Sequence, residues 1–113
     1  MYTLYGIKNC DTVKKARKWL ENNNVSYEFH DFRVDGLSQE QLTLFIEHLS
    51  WEKLLNRSST SWRQLSSEQQ SQLNTEKALT LMLATPTLIK RPILVADDKY
   101  LLGFKAEQYQ KLL

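Results

Sequence analysis

The chain has a single cysteine, two prolines and three glycines among its 113 residues. One cysteine cannot form an internal disulfide, so we expect a reducing, cytoplasmic environment. So few glycines leave no glycine-rich loop of the kind that cradles phosphates. The apolar runs are too short to span a membrane, and the N-terminus lacks the layout of a signal peptide. His30 and His48 have no partner at metal-ligand spacing, so we predict no metal and no bound cofactor.

The charges nearly cancel, because fifteen lysines and arginines face thirteen acidic residues for a net charge of +2. That balance does not indicate a nucleic-acid-binding protein. The hydrophobic content of 42% and the charged content of 25% are typical of a globular domain. We therefore predict a single domain over residues 1–113, a monomer without a nucleic-acid or membrane partner.

The N-terminal part alternates between strand and helix patterns. Residues 1–5 form a short apolar run that Gly6 ends, which is typical of a buried strand. From Asp11 onward, apolar residues recur at helical spacing, and Asp11 or Thr12 could cap the predicted helix. These apolar residues are Val13, Ala16, Trp19 and Leu20. Residues 25–32 alternate with period two, so the segment predicts a βαβ unit with parallel strands and a right-handed crossover.

The middle of the chain is helical in pattern and broken into short pieces. Ser38 and Gln41 resemble a capping box for a helix that runs through Leu49, and a further helix is predicted from Thr75 to about Ala84. The end of the chain returns to strands. Residues 92–96 and 100–102 predict a hairpin, and residues 105–113 predict a terminal helix.

This order of elements predicts an α/β fold of the thioredoxin (glutaredoxin) type. The fold would have a four-stranded mixed sheet, with a helical subdomain inserted at about residues 38–86.

Cys10 lies between the first predicted strand and the first helix. Exposed amides and the helix dipole at such a point favour a thiolate, which is the nucleophilic form of cysteine. Lys8 and Lys14 would add to this field, whereas the Asp11 carboxylate would oppose it if it points at the sulfur. A lone cysteine is often an inert buried side chain. The polar neighbours Asn9 and Thr12 argue against that reading here and predict a reactive Cys10.

Pro92 opens the predicted third strand, where its missing N–H is tolerated. In a thioredoxin-type sheet this loop faces the start of the active-site helix, and its X-Pro bond is commonly cis. Arg91 would then be directed toward Cys10, where a guanidinium could bind an oxyanion or a carboxylate with two hydrogen bonds. A solvated loop arginine is the alternative. Arg33, Arg57, Lys8 and Lys14 are weaker candidates, since each alone is more simply a surface charge.

Two segments together resemble the glutaredoxin-like arsenate reductase (ArsC) family, in particular its YffB-like branch of arsenate-reductase-related proteins, also named Spx/MgsR type. They are residues 4–16, with the run Asn9-Cys10-Asp11-Thr12, and residues 85–93, with Arg91-Pro92-Ile93. The resemblance covers nearly the whole chain. It implies a nucleophilic role for Cys10 and an oxyanion-binding role for Arg91, with glutathione and glutaredoxin as electron donors.

The sequence departs from the family pattern at three positions. The arsenate reductases have an arginine where this chain has Asn56, so Arg57 is a neighbouring substitute. They have another where this chain has Phe104. The Spx regulators have a second cysteine where Val13 stands, so an intramolecular disulfide is impossible here.

Three functions remain open at this point. The sequence favours a glutathione-dependent thiol reductase acting on a small-molecule or protein disulfide. Its site would contain Cys10 as nucleophile, with an anion-binding set beside the structural Pro92. That set is Arg91, Lys8, Arg57, Asn9 and Thr12. A non-catalytic regulator of the Spx type and a true arsenate reductase are the alternatives.

Overall fold

The computed structural model describes the whole chain, Met1–Leu113. The residues group into two compact units, the first made of residues 1–36 and 91–113 and the second of residues 37–90. None of the helices combines the length and the apolar character that a membrane span requires.

The first unit contains a four-stranded mixed sheet. Its elements are β1 (Tyr2–Gly6), α1 (Asp11–Asn22), β2 (Tyr27–Asp31), β3 (Ile93–Ala96), β4 (Lys99–Leu102) and α7 (Ala106–Gln110). The strand order is β2-β1-β3-β4, with β1 and β2 parallel and the other neighbours antiparallel. This arrangement confirms the predicted α/β fold of the thioredoxin type.

One face of this sheet packs against α1 and α7. Leu4 and Leu94 are cross-strand partners and are fully buried there. The inward residues of α1 are the ones that helical spacing predicts, since Val13, Ala16 and Leu20 join the same cluster. Tyr109 of α7 completes it. The terminal helix is shorter than the predicted span, 105–113.

The N-cap prediction for α1 was wrong. The N-cap residue is Cys10, with extended backbone angles and no capping hydrogen bond from its side chain. Asp11 and Thr12 are exposed residues of the first turn. The physical reason is that the Cys10 carbonyl already accepts the first helical bond, from the Lys14 N–H at 3.0 Å.

Strand β2 begins later than its alternating pattern predicts. Asn24 adopts a positive φ of 57°, and the Val25 N–H donates to the Leu20 carbonyl at 2.9 Å. These contacts close the end of α1, so the chain becomes extended only at Tyr27.

The second unit consists of short helices with serine and asparagine caps. They are α2 (Gln39–Leu49), α3 (Trp51–Leu54), α4 (Thr60–Arg63), α5 (Ser67–Gln70) and α6 (Thr75–Ala84), followed by a 3₁₀ turn at Pro86–Leu88. The bounds predicted for α6 are confirmed, and α2 begins at the predicted cap, where Ser38 accepts from the Gln41 N–H. The complete capping box is at Ser66 and Gln69.

Candidate functional site

The loop between β1 and α1 carries Cys10. The Cys10 N–H donates to the Ile7 carbonyl at 3.1 Å, which closes a tight turn over Lys8 and Asn9. The Cys10 side chain is half-buried and lies against the core of the first unit. A thiol at the N-cap is next to helix amides that have no partner within the helix, so the position can stabilise negative charge on sulfur.

The closeness of β1 to α1 depends on Gly6. This buried residue ends β1, and a Cβ atom built there would lie only 2.7 Å from Cγ2 of Val13. The hydrogen side chain therefore lets the helix begin beside the end of the strand. Val13, where the resemblance to the Spx regulators implies a second cysteine, is a fully buried core residue.

Arg91 and Pro92 lie at the same end of the sheet as the Cys10 loop. Strand β3 runs antiparallel to β1, and the pairing of Tyr5 with Ile93 puts the preceding residues beside the end of β1. The Arg91–Pro92 peptide bond is cis, as is common at this place in a thioredoxin-type sheet. Pro92 is buried, and Arg91 is half-buried with its Nε atom out of solvent.

The remaining candidate residues fall into two groups. Lys8, Asn9 and Thr12 are exposed and lie within two positions of Cys10. Arg57 belongs to the second unit, where its guanidinium lies 5.7 Å from the centre of the Trp62 ring. All the predicted site residues except Arg57 therefore belong to the first unit.

Phe104 stands where the resemblance to the arsenate reductases implies an arginine. Its ring packs edge-to-face on Tyr109 with the ring centres 4.9 Å apart. The adjacent Lys105 is exposed and begins α7. Phe104 therefore makes an aromatic contact with the core at the position where the resemblance implies an oxyanion-binding arginine.

Asp31 is a part of this site that the sequence reasoning did not consider. It is the one buried charged residue, with 7% of its surface exposed. Its Oδ2 atom accepts from the Lys8 N–H at 3.1 Å, and its Oδ1 atom accepts from the Arg33 N–H at 2.8 Å. The sequence does contain a signal. Alternate residues of a strand face the same side, so Asp31 lies on the same side of β2 as Tyr27 and Phe29, where an apolar residue is expected.

An aromatic cluster of Tyr5, His30 and Phe32 lies on the opposite face of the sheet. The Tyr5 and His30 ring centres are 4.9 Å apart, and His30 Nε2 makes a 2.7 Å hydrogen bond with the Gly36 carbonyl. Burial raises the pKa of Tyr5, and nearby Tyr100 and Glu28 add to the effect. No group of three or more His, Cys, Asp or Glu residues is placed to hold a metal ion.

The first unit thus combines a mixed thioredoxin-type sheet with a lone cysteine at the start of its first helix and a buried cis proline at the same end of the sheet. The ArsC family model matches residues 5–112. The chain belongs to the ArsC family.

Solved relatives share this structure over nearly their whole length. A protein called YFFB is 44% identical with a TM-score of 0.95, covering 98% of this chain and 97% of its own. An arsenate reductase (ArsC) related protein from Brucella melitensis is 47% identical with a TM-score of 0.79, covering 97% and 92%. Among relatives found by sequence, the global transcriptional regulator Spx from Streptococcus agalactiae is 25% identical, over 100% of this chain and 83% of the regulator.

Proposed function

We propose that this protein is a glutathione-dependent thiol reductase in which Cys10 is the sole nucleophile. The observation that carries the proposal is the half-buried thiol at the N-cap of α1, which makes no capping hydrogen bond of its own. The first amides of α1 would stabilise the thiolate form of this sulfur, which is the form that attacks a disulfide.

The reaction needs two thiol–disulfide exchanges. The Cys10 thiolate attacks the glutathione sulfur of a mixed disulfide, forms a Cys10–glutathione disulfide and releases the substrate as a thiolate, which takes a proton from water. A second glutathione thiolate then attacks the glutathione sulfur of that intermediate. Oxidised glutathione leaves, and the Cys10 thiolate is restored. Since Cys10 is the only cysteine, no internal thiol can replace the second glutathione.

The charges near Cys10 suit glutathione, which carries two carboxylates. The Arg91 guanidinium can hold one carboxylate with paired hydrogen bonds, and Lys8 can attract the other. Asn9 and Thr12 can add neutral hydrogen bonds. Arg57 was also predicted to belong to the anion-binding set, and it lies in the second unit. Glutaredoxin is a second possible electron donor, and we expect a cytoplasmic monomer.

Turnover of a glutathionylated peptide, with glutathione and glutathione reductase supplying electrons from NADPH, tests the proposal. We expect activity in the wild type and none in Cys10→Ser. Arg91→Ala should lower kcat/KM by about tenfold or more, which is the effect of losing a charged hydrogen bond. Lys90→Ala is the matched control, because it removes an exposed charge one residue away. Equal effects of the two substitutions would contradict the role of Arg91.

A non-catalytic regulator remains the second candidate because of the similarity to Spx. That function would leave the folded wild type inactive in the peptide assay and leave Cys10 dispensable for partner binding. Arsenate reduction is the third. This chain has Phe104, packed on Tyr109, where the resemblance implies an arginine, so its site has one cation fewer and we expect arsenate to support no turnover.

A further inference from the structure

Asp31 uses its two oxygens for two different backbone groups. The bond from Oδ1 to the Arg33 N–H is local, since the two residues are two positions apart. Aspartate commonly makes a short-range turn of this kind, so this bond does not require a functional explanation. The bond from Oδ2 reaches the Lys8 N–H, which is 23 positions away and in the middle of the Cys10 loop.

A buried carboxylate is costly unless hydrogen bonds replace the water that it loses. At Asp31 the backbone N–H groups of Lys8 and Arg33 supply these hydrogen bonds. Asp31 is the last residue of β2 and pairs with Gly6 of β1, and its own N–H donates to Oδ2 of the exposed Asp35 at 3.0 Å. The carboxylate therefore projects from a rigid support toward the loop.

The backbone pairing of β1 with β2 ends at Gly6, two residues before Lys8, whose N–H donates to Asp31. Gly6 pairs with Asp31, and the Phe32 N–H donates to the Gly6 carbonyl at 2.9 Å. Beyond Gly6 the loop has its own turn, closed by the Cys10 N–H on the Ile7 carbonyl. The Asp31 carboxylate ties the centre of that turn, at Lys8, to the sheet.

We propose that Asp31 is a positioning residue for Cys10, which holds the loop so that the sulfur stays beside the first amides of α1. The inference rests on the proposed nucleophilic role of Cys10. Asp31 would contact neither the sulfur nor glutathione, and it would act through its hydrogen bond to the Lys8 backbone N–H. A displacement of about 1 Å at a reacting group can cost about a hundredfold in rate, so such an anchor matters.

Asp31→Asn tests the anchor with little change of volume. An asparagine offers one carbonyl oxygen to the two N–H groups, so one of them loses its acceptor. A sulfur that moves away from the helix amides loses stabilisation of its reactive thiolate form, so we expect alkylation of Cys10 by iodoacetamide at neutral pH to fall about tenfold. Loss of a negative charge alone would favour the thiolate and make alkylation faster. The sign of the change therefore separates positioning from simple electrostatics, and faster or unchanged alkylation overturns the proposal.

Asp35→Asn is the matched control. It also removes one negative charge beside Asp31, but its contact is with the Asp31 N–H and not with the loop. We expect its alkylation rate to stay within about twofold of the wild type, as for an exposed charge. Circular dichroism and thermal unfolding of both variants show whether the fold is retained. A purely structural role for Asp31 would lower the melting temperature and leave the alkylation rate of the folded protein unchanged.

Hydrogen exchange in the wild type covers the case in which Asp31→Asn does not fold. The Lys8 amide lies in an exposed loop residue, and we expect it to exchange slowly because Asp31 holds it. Exchange as fast as that of Asn9 would overturn the proposal. Neither readout uses glutathione. A failed turnover assay with intact Asp31 dependence would therefore count against the proposed function alone.

Discussion

The contact between Gly6 and Val13 limits how closely α1 can approach the end of β1. Gly6→Ala would place a methyl carbon 2.7 Å from Val13 Cγ2, closer than carbon atoms approach without a shift of structure. Val13 cannot turn away, because a β-branched side chain in a helix has one strongly preferred rotamer. It is also fully buried.

The expected energies follow from this geometry. Gly6→Ala should lower the free energy of unfolding by about 1–3 kcal/mol through overpacking. Val13→Ala should lower it by about 1–3 kcal/mol through lost burial and a cavity. The double variant should be more stable than the sum predicts, by about 0.5–3 kcal/mol, because the alanine methyl group fills space that the valine methyl group leaves.

Urea unfolding of the four proteins, followed by far-UV circular dichroism, measures this coupling. Gly36→Ala provides the control, because a Cβ at Gly36 meets nothing within 4 Å and its cost comes from a φ of +79°. Its effect should add to that of Val13→Ala. Additive effects of Gly6→Ala and Val13→Ala would refute the reasoning, and so would an increase in stability from Gly6→Ala alone.

Three further predictions concern stability. Burial raises the pKa of Tyr109, so this tyrosine ionises first in the unfolded chain. Its contribution to stability is complete below about pH 10 and falls as the pH rises further. Urea unfolding over a pH series should therefore show a smaller loss of stability above about pH 10 in Tyr109→Phe, with the remainder due to groups such as Tyr5. Leu94→Ala, at a fully buried position of β3, should cost about 2–5 kcal/mol in the same assay. Asn74→Ala removes the cap that accepts from the Lys77 N–H at 2.8 Å and should cost about 0.5–2 kcal/mol.

Periodicity predicted the elements whose stability is local and regular. The α6 helix, Thr75–Ala84, has the predicted bounds because Asn74 caps it and Thr85-Pro86 ends it. The parallel pairing of β1 and β2 follows from the βαβ order. Pattern alone could not find the 3₁₀ turn at Pro86–Leu88, because its hydrogen bonds depend on how the chain leaves α6.

The candidate site was less accessible to sequence reasoning. The position of Cys10 at the helix start was predicted, but which residue caps the helix depends on backbone angles that residue type does not determine. Asp31 was missed because its partner, the Lys8 N–H, is distant in sequence and carries no side-chain signature. The second compact unit spans residues 37–90, and the helical insertion was predicted at about residues 38–86 of a single domain.

The central claim is that Cys10 forms and releases a disulfide with glutathione. Intact-mass analysis after incubation with oxidised glutathione tests it directly. We predict one glutathione adduct on the wild type, none on Cys10→Ser, and complete release of the adduct by reduced glutathione. A folded wild-type protein that forms no adduct, or one whose adduct reduced glutathione does not remove, would contradict the account.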